Sequence, residues 1–199
     1  MTTTHSPART RRARRARRAG FTIIELIMTT ALVGIMMSIV VPRMRISETT
    51  ELQLAGMQLA QDIDLARTRA LSTRNLARVA FTTGGQGSYA GYLDHDGDST
   101  ITGSNAELLA LRGWQTRDLP VRVKYGRGSA PAIPGETGSG AVTWGDSQAE
   151  FNSRGLVTPS GTGGTVYLTH VNKPSEVVAV AVAPSGSVRL WTYHDGSWK

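Results

Sequence analysis

The 199-residue sequence contains no cysteine, which excludes a disulfide framework, a thiol nucleophile and a thiolate metal site. Acidic residues are missing from residues 1–20, although seven arginines lie there. The formal net charge of +7 therefore depends on this segment. Without it, Lys and Arg fall from 22 to 15, against 15 Asp and Glu. A chain that is balanced in this way gives no charge argument for nucleic-acid binding.

A long apolar run follows the arginine-rich segment, from Phe21 to Val41, and Pro42 closes it. At about 1.5 Å per residue the run spans roughly 30 Å, the thickness of the hydrocarbon core of a bilayer. We expect a transmembrane helix over 21–44 with its N-terminus in the cytoplasm, because positive charge precedes it. Gly34 and the residues before Pro42 lower helix propensity, which predicts a bend or local melting there.

Three kinds of targeting segment could account for this N-terminus. A cleaved secretory signal would have a shorter apolar core and an A-x-A-like site before Pro42. A twin-arginine export signal would carry a polar motif that the repeated arginine pairs lack. The third interpretation places the cleavage after Gly20, so that residues 1–20 leave as a leader and the helix stays on the mature protein.

The residues around Gly20 favour the third interpretation. The sequence Gly20-Phe21-Thr22-Ile23-Ile24-Glu25-Leu26, together with Pro42, resembles the class III signal of type IV pilins and type II secretion pseudopilins. The resemblance implies that a membrane prepilin peptidase cuts between Gly20 and Phe21 and methylates the new amine of Phe21.

Glu25 is the single charged residue between Gly20 and Val41. A carboxylate at the centre of a membrane helix costs about 2.5–3.5 kcal/mol on insertion scales, and less near an end. After cleavage, the amine of Phe21 would lie four residues before Glu25, on the same helical face. One interpretation is a pair that neutralises both charges within one subunit. The resemblance implies a second interpretation, in which Glu25 recognises the Phe21 amine of a neighbouring subunit during assembly. We favour this second interpretation.

A second helix is predicted over 45–76, and a β-rich head over 77–199. Apolar residues at helical spacing form one stripe that a head would cover: Leu52, Leu59, Ile63, Ala66 and Ala70. Leu54, Met57 and Leu65 fall on the opposite face, either as scattered exposed residues or as contacts to neighbouring helices.

Short apolar runs after residue 76 predict strands. They cover 77–81, 89–93, 108–111, 121–125, 166–171, 177–183 and 188–193. The segment Gly126–Gly140 is rich in Gly, Pro and Ser and predicts a long surface loop. Pro184-Ser185-Gly186-Ser187 predicts a hairpin turn between the last two strands. No internal repeat is present.

The end of the second helix and the C-terminal strands resemble one particular group of these proteins. Residues 59–70 resemble the L-x-x-D-L-x-x-A-R-x-x-A pattern of the GspH/FimT group, and 151–155 and 180–189 resemble the C-terminal pattern of that group. DNA-uptake pilins of this group carry a second arginine where this chain has Ser187, beside Arg189. Nucleic acid is therefore not an expected partner.

Two further segments have sequences that are typical of functional sites. Asp94, Asp96 and Asp98 alternate as in hard-cation loops, but an EF-hand would have Gly where Ser99 stands and Glu where Asn105 stands. An acidic turn is the competing interpretation, and no cofactor is expected apart from a weak calcium site.

Gly145-Asp146-Ser147 resembles the surroundings of some nucleophilic serines, with His170, His194 and Asp195 elsewhere in the chain. No G-x-S-x-G elbow accompanies it, so a turn serine is favoured and no enzyme activity is expected. The four tryptophans are predicted to be core or hairpin residues, with Trp198 at the exposed terminus; they are Trp114, Trp144, Trp191 and Trp198.

The sequence therefore predicts an α+β fold: a long N-terminal helix on an antiparallel two-sheet head of about seven to nine strands. The predicted function is structural, as a minor pseudopilin of a type II secretion system, and the alternative is a minor type IV pilin for pilus assembly or DNA uptake. The resemblance implies prepilin peptidase, other pilins or pseudopilins, the inner-membrane assembly platform and the lipid bilayer as partners. The head is expected in the periplasm.

Overall fold

The computed structural model describes the backbone of residues 20–43, 47–111, 113 and 115–199, and side chains throughout these ranges except at 40–43. Two compact units divide the chain, residues 1–45 and residues 46–199. The predicted leader 1–20 lies outside the described residues except for Gly20, and so does Trp114. Each unit is described by itself.

In the first unit the structure describes helix α1, from Ile23 to Arg43. The helix continues through Gly34 and ends one residue after Pro42, so the predicted local melting is absent from this structure. A bend in this stretch stays a prediction. Within the described part of the chain, no helix has both the length and the apolarity needed to cross a membrane. The predicted span of 21–44 includes side chains outside the described residues.

The second unit begins with helix α2, from Glu48 to Thr73, and Arg74 ends it in the left-handed conformation with φ of 60°. All five residues of the predicted stripe are buried, as helical spacing requires. Ala55, Gly56 and Asp62 are buried with them. Gly56 lies against β-strand residues so closely that a Cβ there would collide with the side chains of Val178 and Leu190.

The opposite face of α2 is only partly as predicted. Leu54 and Met57 are exposed, Met57 to 46%. Leu65 instead is half-buried and packs against the main core. The helix is embedded more deeply than one stripe suggests, because it contacts strands of both sheets.

Eleven strands in the described residues form two antiparallel sheets, which confirms the predicted fold class. The strands are β1 (Ala77–Thr82), β2 (Ser88–Leu93), β3 (Leu108–Leu109), β4 (Thr116–Asp118), β5 (Val123–Tyr125), β6 (Gln148–Phe151), β7 (Val157–Thr158), β8 (Gly164–His170), β9 (Lys173–Val182), β10 (Val188–His194) and β11 (Ser197–Trp198). The first sheet has the order β3-β2-β1-β6-β7, with β4 also paired to β2. The second has the order β11-β10-β9-β8-β5.

Seven of the eleven described strands lie in segments that the sequence predicted, including the short β3 and β5, and four short strands were missed. The β1–β2 and β9–β10 hairpins lie where they were predicted, and Ala183 donates its N–H to the carbonyl of Ser187 across the second turn. The strands that were missed are β4, β6, β7 and β11, each of two to four residues. A segment this short shows too few alternations to be distinguished from a loop by its pattern.

One main core lies between α2 and the two sheets. Its largest fully buried side chains include Tyr89 and Phe151 from the first sheet and Leu168 from the second. Trp144 is buried there, stacked on Phe81 with 5.9 Å between ring centroids.

The 126–140 segment has no strand, as predicted, but it is not simply a surface loop. Ala130 and Ile133 are buried in a second cluster with Tyr167 and Val177. Tyr167 accepts the N–H of Ile133 at 3.1 Å through its hydroxyl oxygen. Apolar residues between glycines and prolines can anchor a loop to a sheet, and composition alone does not reveal this.

Trp198 belongs to the same second cluster and is half-buried, which corrects its predicted exposure. Its ring lies 5.1 Å from that of Tyr193 and 6.1 Å from that of Tyr167, between centroids. The pairing of β11 with β10 places it there.

Candidate functional site

The residues of the predicted cleavage and assembly site lie at the start of α1. Gly20 is exposed, and Phe21 is 81% exposed. The hydroxyl oxygen of Thr22 accepts the backbone N–H of Glu25 at 3.3 Å. Thr22 therefore caps the helix, and Glu25 occupies the third helical position, as in the Thr-x-x-Glu pattern of a capping box. A carboxylate here also interacts favourably with the positive end of the helix dipole.

The polar side chains farther along α1 are satisfied within the helix. Thr30 donates its hydroxyl to the carbonyl of Leu26 at 2.9 Å, and Ser38 donates to the carbonyl of Ile35 at 2.7 Å. The hydroxyl of Thr29 also donates to the carbonyl of Leu26, at 3.0 Å. Their hydroxyl donors therefore need no water or outside partner. The carboxylate of Glu25, by contrast, makes no side-chain hydrogen bond or ion pair with the residues that the structure describes.

The apolar side chains of this unit are exposed on every side of the helix. They are Phe21, Ile23, Ile24, Leu26, Ile27, Met28, Leu32, Val33, Ile35, Met36, Met37 and Ile39. A continuous exposed apolar surface of this kind is typical of a site of interaction with proteins or a membrane.

The acidic loop after β2 brings its three carboxylates together. Oxygen atoms of Asp94, Asp96 and Asp98 lie within 4.8 Å of one another. Asp94 is buried and accepts the N–H of Gly97 at 2.7 Å and that of Ser99 at 3.0 Å. Although burial raises the pKa of Asp94, these hydrogen bonds outweigh it and hold the pKa below its ordinary value. The turn is stabilised by its own amides, and calcium binding stays a prediction.

The serine and histidines considered for hydrolysis are in different surroundings. Ser147 has φ of 51°, donates its N–H to the carbonyl of Trp144, and accepts the N–H of Phe81. His170 is fully buried at the end of β8, and its Nε2 lies 3.7 Å from a carboxylate oxygen of Glu51. His194 lies at the end of β10, 3.1 Å from Asp195. None of the hydrogen bonds among the described side chains joins Ser147 to either histidine.

Arg189 is exposed on β10, near the turn of the β9–β10 hairpin. That turn touches the 152–155 segment, since a Cβ at Gly186 would collide with the carbonyl of Gly155. Arg67 of α2 donates to the same carbonyl at 3.0 Å. The fold therefore brings Arg67 and the turn that carries Arg154 near the hairpin, while Lys173 pairs with Glu176 instead.

Sequence reasoning assigned no role to a buried polar cluster beneath α2. Asp62 is 0% exposed, accepts the hydroxyl of Tyr89 at 2.7 Å, and lies 3.5 Å from Nε of Arg117. Burial, and then the hydrogen bond and charge of Asp62, raise the pKa of Tyr89, so its hydroxyl remains a donor. A carboxylate inside the predicted apolar stripe was the signal that could have indicated this cluster.

A second polar anchor is Glu136, in the 126–140 segment. Its Oε1 accepts the N–H of Gly138 at 2.9 Å, and its Oε2 accepts the hydroxyls of Thr165 at 2.8 Å and Thr143 at 3.1 Å. Partial burial raises the pKa of Glu136, but these hydrogen bonds outweigh it and lower the pKa. Glu136 therefore ties the segment to β8.

Comparison with known proteins identifies the N-terminal segment. Residues 15–41 match the family described as the prokaryotic N-terminal methylation motif. No curated protein shows significant sequence similarity to the chain. Two crystal structures of the type IV minor pilin FimU of Pseudomonas aeruginosa are similar at 17% identity. The similarity to the FimU structure in space group P21 covers 70% of this chain and 87% of the FimU chain, with a TM-score of 0.49. The similarity to the structure in space group P65 covers 70% of this chain and 91% of the FimU chain, with a TM-score of 0.47. The predicted prepilin-like N-terminus is confirmed by the methylation motif.

Proposed function

We propose that this type IV pilin-like chain is a minor pseudopilin, a structural subunit of the filament of a type II secretion system. The observation that carries the proposal is α1, an exposed apolar helix that lies almost wholly within the methylation-motif match and bears one carboxylate in its first turn. Such a helix has two apolar environments open to it, a bilayer before assembly and the helices of neighbouring subunits after it.

Cleavage after Gly20 would convert the N-terminus of α1 into a free end. Phe21 would become the first residue, immediately before the capping Thr22. Its amine would then lie within one helical turn of the carboxylate of Glu25. Methylation of that amine keeps its positive charge, so a charge pair remains available within a subunit or between subunits.

Glu25 is assigned to assembly because a carboxylate in an apolar helix is energetically costly and because it lies one turn from the new amine. The capping hydrogen bond of Thr22 uses the backbone N–H of Glu25 and leaves the carboxylate available. An unpaired charge in an apolar helix is functional by default. In the proposed filament, Glu25 pairs with the amine of a neighbouring Phe21 and sets the axial position of the incoming helix.

We also propose the location that this function requires. α1 anchors the chain in the inner membrane with the arginine-rich leader in the cytoplasm, and the 46–199 unit lies in the periplasm. Prepilin peptidase, other pilins or pseudopilins and the inner-membrane assembly platform are the proposed partners.

Substitution of Glu25 tests the proposed function. Glu25→Val should leave cleavage and membrane insertion intact but reduce crosslinking to neighbouring pilins, because the charge that recognises the amine is lost. Thr29→Val is the matched control, since it removes a polar group one turn further on the same face whose hydroxyl is satisfied within the helix. Normal incorporation of Glu25→Val would contradict the assembly role.

A minor type IV pilin for pilus assembly or DNA uptake is the second candidate. The turn of the β9–β10 hairpin, which precedes Arg189, contacts Arg67 and the 152–155 turn that carries Arg154, and this supports it. Against it, the guanidinium of Arg67 already donates to the carbonyls of Gly155 and Ser185. Deletion of the gene distinguishes the two, since loss of exoprotein secretion supports the first and loss of DNA uptake supports the second.

A further inference from the structure

The outer edge of β10 is paired near its C-terminal end, but among the described residues no strand pairs with its first half. Thr192 donates its N–H to the carbonyl of Lys199 at 3.0 Å and accepts the N–H of Lys199 at 2.9 Å. The backbone groups of Thr192 therefore point away from β9. Because these groups alternate in direction along a strand, the N–H and C=O of Leu190 and Val188 point the same way.

The hairpin turn before β10 also shows that the backbone groups of Val188 point away from β9. Ala183 donates its N–H to the carbonyl of Ser187 at 2.9 Å, so the carbonyl of Ser187 faces β9. The next residue, Val188, must then face outward. In the segments that the structure describes, no hydrogen bond reaches the outward groups of Val188 or Leu190. The short β11 pairs only with Tyr193 and His194.

We propose that this open edge, Val188–Leu190, accepts an extended segment of another protein as an additional strand of the second sheet. Uncovered edges promote pairing with other chains and are normally blunted by proline, by bulges, by charged side chains or by a covering segment. Of these features, the described edge Val188–Leu190 has one charged side chain, Arg189. Strand addition uses the main-chain groups for affinity and the alternating side chains for specificity.

The side chains beside the edge define the chemistry of the partner. Val188 and Leu190 are half-buried and pack on the main core, so apolar side chains of an added strand would extend that core. Arg189 and Trp191 lie on the other face, where they line a cavity of about 460 Å³ together with Glu136. Arg189 forms no ion pair with any described carboxylate, whereas Glu136 is held by its own hydrogen bonds. The fitting segment therefore has alternating apolar residues and a carboxylate opposite Arg189.

Charge also argues against a second copy of this chain as the partner. An antiparallel pair that uses both outward residues of each copy places Val188 opposite Leu190 of the other copy. Arg189 would then lie directly opposite the same arginine, and like charges at such a position are destabilising. The partner is a different, acidic segment. The proposal lies within the 46–199 unit and does not depend on processing at Gly20, so its failure would leave the proposed function standing.

Hydrogen exchange of the full chain in detergent tests the free edge and its occupation. Without a partner, the amides of Val188 and Leu190 should exchange faster than those of Arg189 and Trp191, which pair with β9. The probe is a capped seven-residue peptide in which valine and threonine alternate around one central glutamate. At millimolar peptide, exchange at Val188 and Leu190 should slow by about tenfold.

The matched controls separate strand addition from other binding. Val188→Pro removes an outward N–H and should weaken peptide binding by about fivefold relative to Val188→Ala, which truncates the side chain but keeps the N–H. A peptide N-methylated at the residues that face the edge should lose binding to the unaltered chain, which avoids any effect of proline on folding. A peptide with lysine in place of glutamate should also bind less well.

Three results would overturn the proposal. The first is the absence of protection at Val188 and Leu190 with millimolar peptide. The second is equal binding by the N-methylated peptide. The third is protection that grows with protein concentration alone, which would identify a second copy of the chain as the occupant.

Discussion

Removal of the Arg117 charge should destabilise the head by more than most single substitutions. Arg117 is 18% exposed at its side chain and lies 3.5 Å from Asp62, which has no exposure. With the amide of Gln58 oriented so that its oxygen faces the guanidinium, Gln58 also accepts from Nε of Arg117 at 3.2 Å. Oδ1 of Asp62 is buried without a hydrogen-bond partner, so the carboxylate depends on Tyr89 and Arg117.

The magnitude follows from what each substitution leaves behind. Arg117→Met leaves a buried carboxylate without its cation, which costs about 3–5 kcal/mol, and the partial exposure of Arg117 favours the lower end. For a unit of this size, a loss of 3 kcal/mol lowers the melting temperature by about 6–12 °C. Asp62→Leu with Arg117→Met removes both charges and should be more stable than Arg117→Met alone, although the hydroxyl of Tyr89 then lacks its acceptor.

Urea denaturation of residues 46–199, one of the two compact units, measures these free energies of unfolding. A double-mutant cycle should give a coupling between Asp62 and Arg117 of about 1–3 kcal/mol. Arg117→Lys is the control that keeps the positive charge but loses the guanidinium geometry. Its free energy of unfolding should lie between that of Arg117→Met and that of the unaltered protein. If Arg117→Met unfolds at the same urea concentration as the unaltered protein, the cluster does not stabilise the head as argued.

Three further predictions concern the head. Glu136 should anchor the 126–140 segment above pH 4.5, its ordinary pKa, and this stabilisation should be lost as pH falls through its lower folded pKa. Amide protection in this segment, measured relative to the intrinsic exchange rate at each pH, should fall at acid pH, and should fall at neutral pH in Glu136→Gln. Calcium should change the melting temperature little, because the amides of the loop already satisfy Asp94, and a large stabilisation that Asp96→Ala abolishes would contradict this. Duplex DNA should bind weakly, with about two to four phosphate contacts; micromolar affinity that falls steeply between 50 and 200 mM salt and disappears in Arg189→Ala would favour the DNA-uptake candidate.

The N-terminal motif and the longer periodic segments could be predicted from the sequence. The Gly20–Glu25 motif needs no tertiary information, because a peptidase and the start of one helix act on contiguous residues. The stripe from Leu52 to Ala70 was also predictable, since helical spacing alone places these residues on one face.

The contacts between distant segments could not be predicted. Arg117 reaches Asp62 because the three-residue strand β4 pairs with β2, and nothing near Arg117 in the sequence indicates either contact. Ala130 and Ile133 lie among glycines and prolines and are buried because β8 and β9 lie beneath them.

The central claim is that the chain is matured as a pilin-like subunit, and the N-terminus of the membrane-extracted protein tests it most directly. Intact mass and N-terminal sequencing should show a chain that begins at Phe21 and carries one methyl group on its amine. Gly20→Val should block this cleavage, while Gly34→Val should not; a side chain at either glycine has no neighbouring atom within 4 Å in the structure, so the difference reports the peptidase. A mature chain that begins at another residue, or one that keeps its arginine-rich leader, would contradict the account.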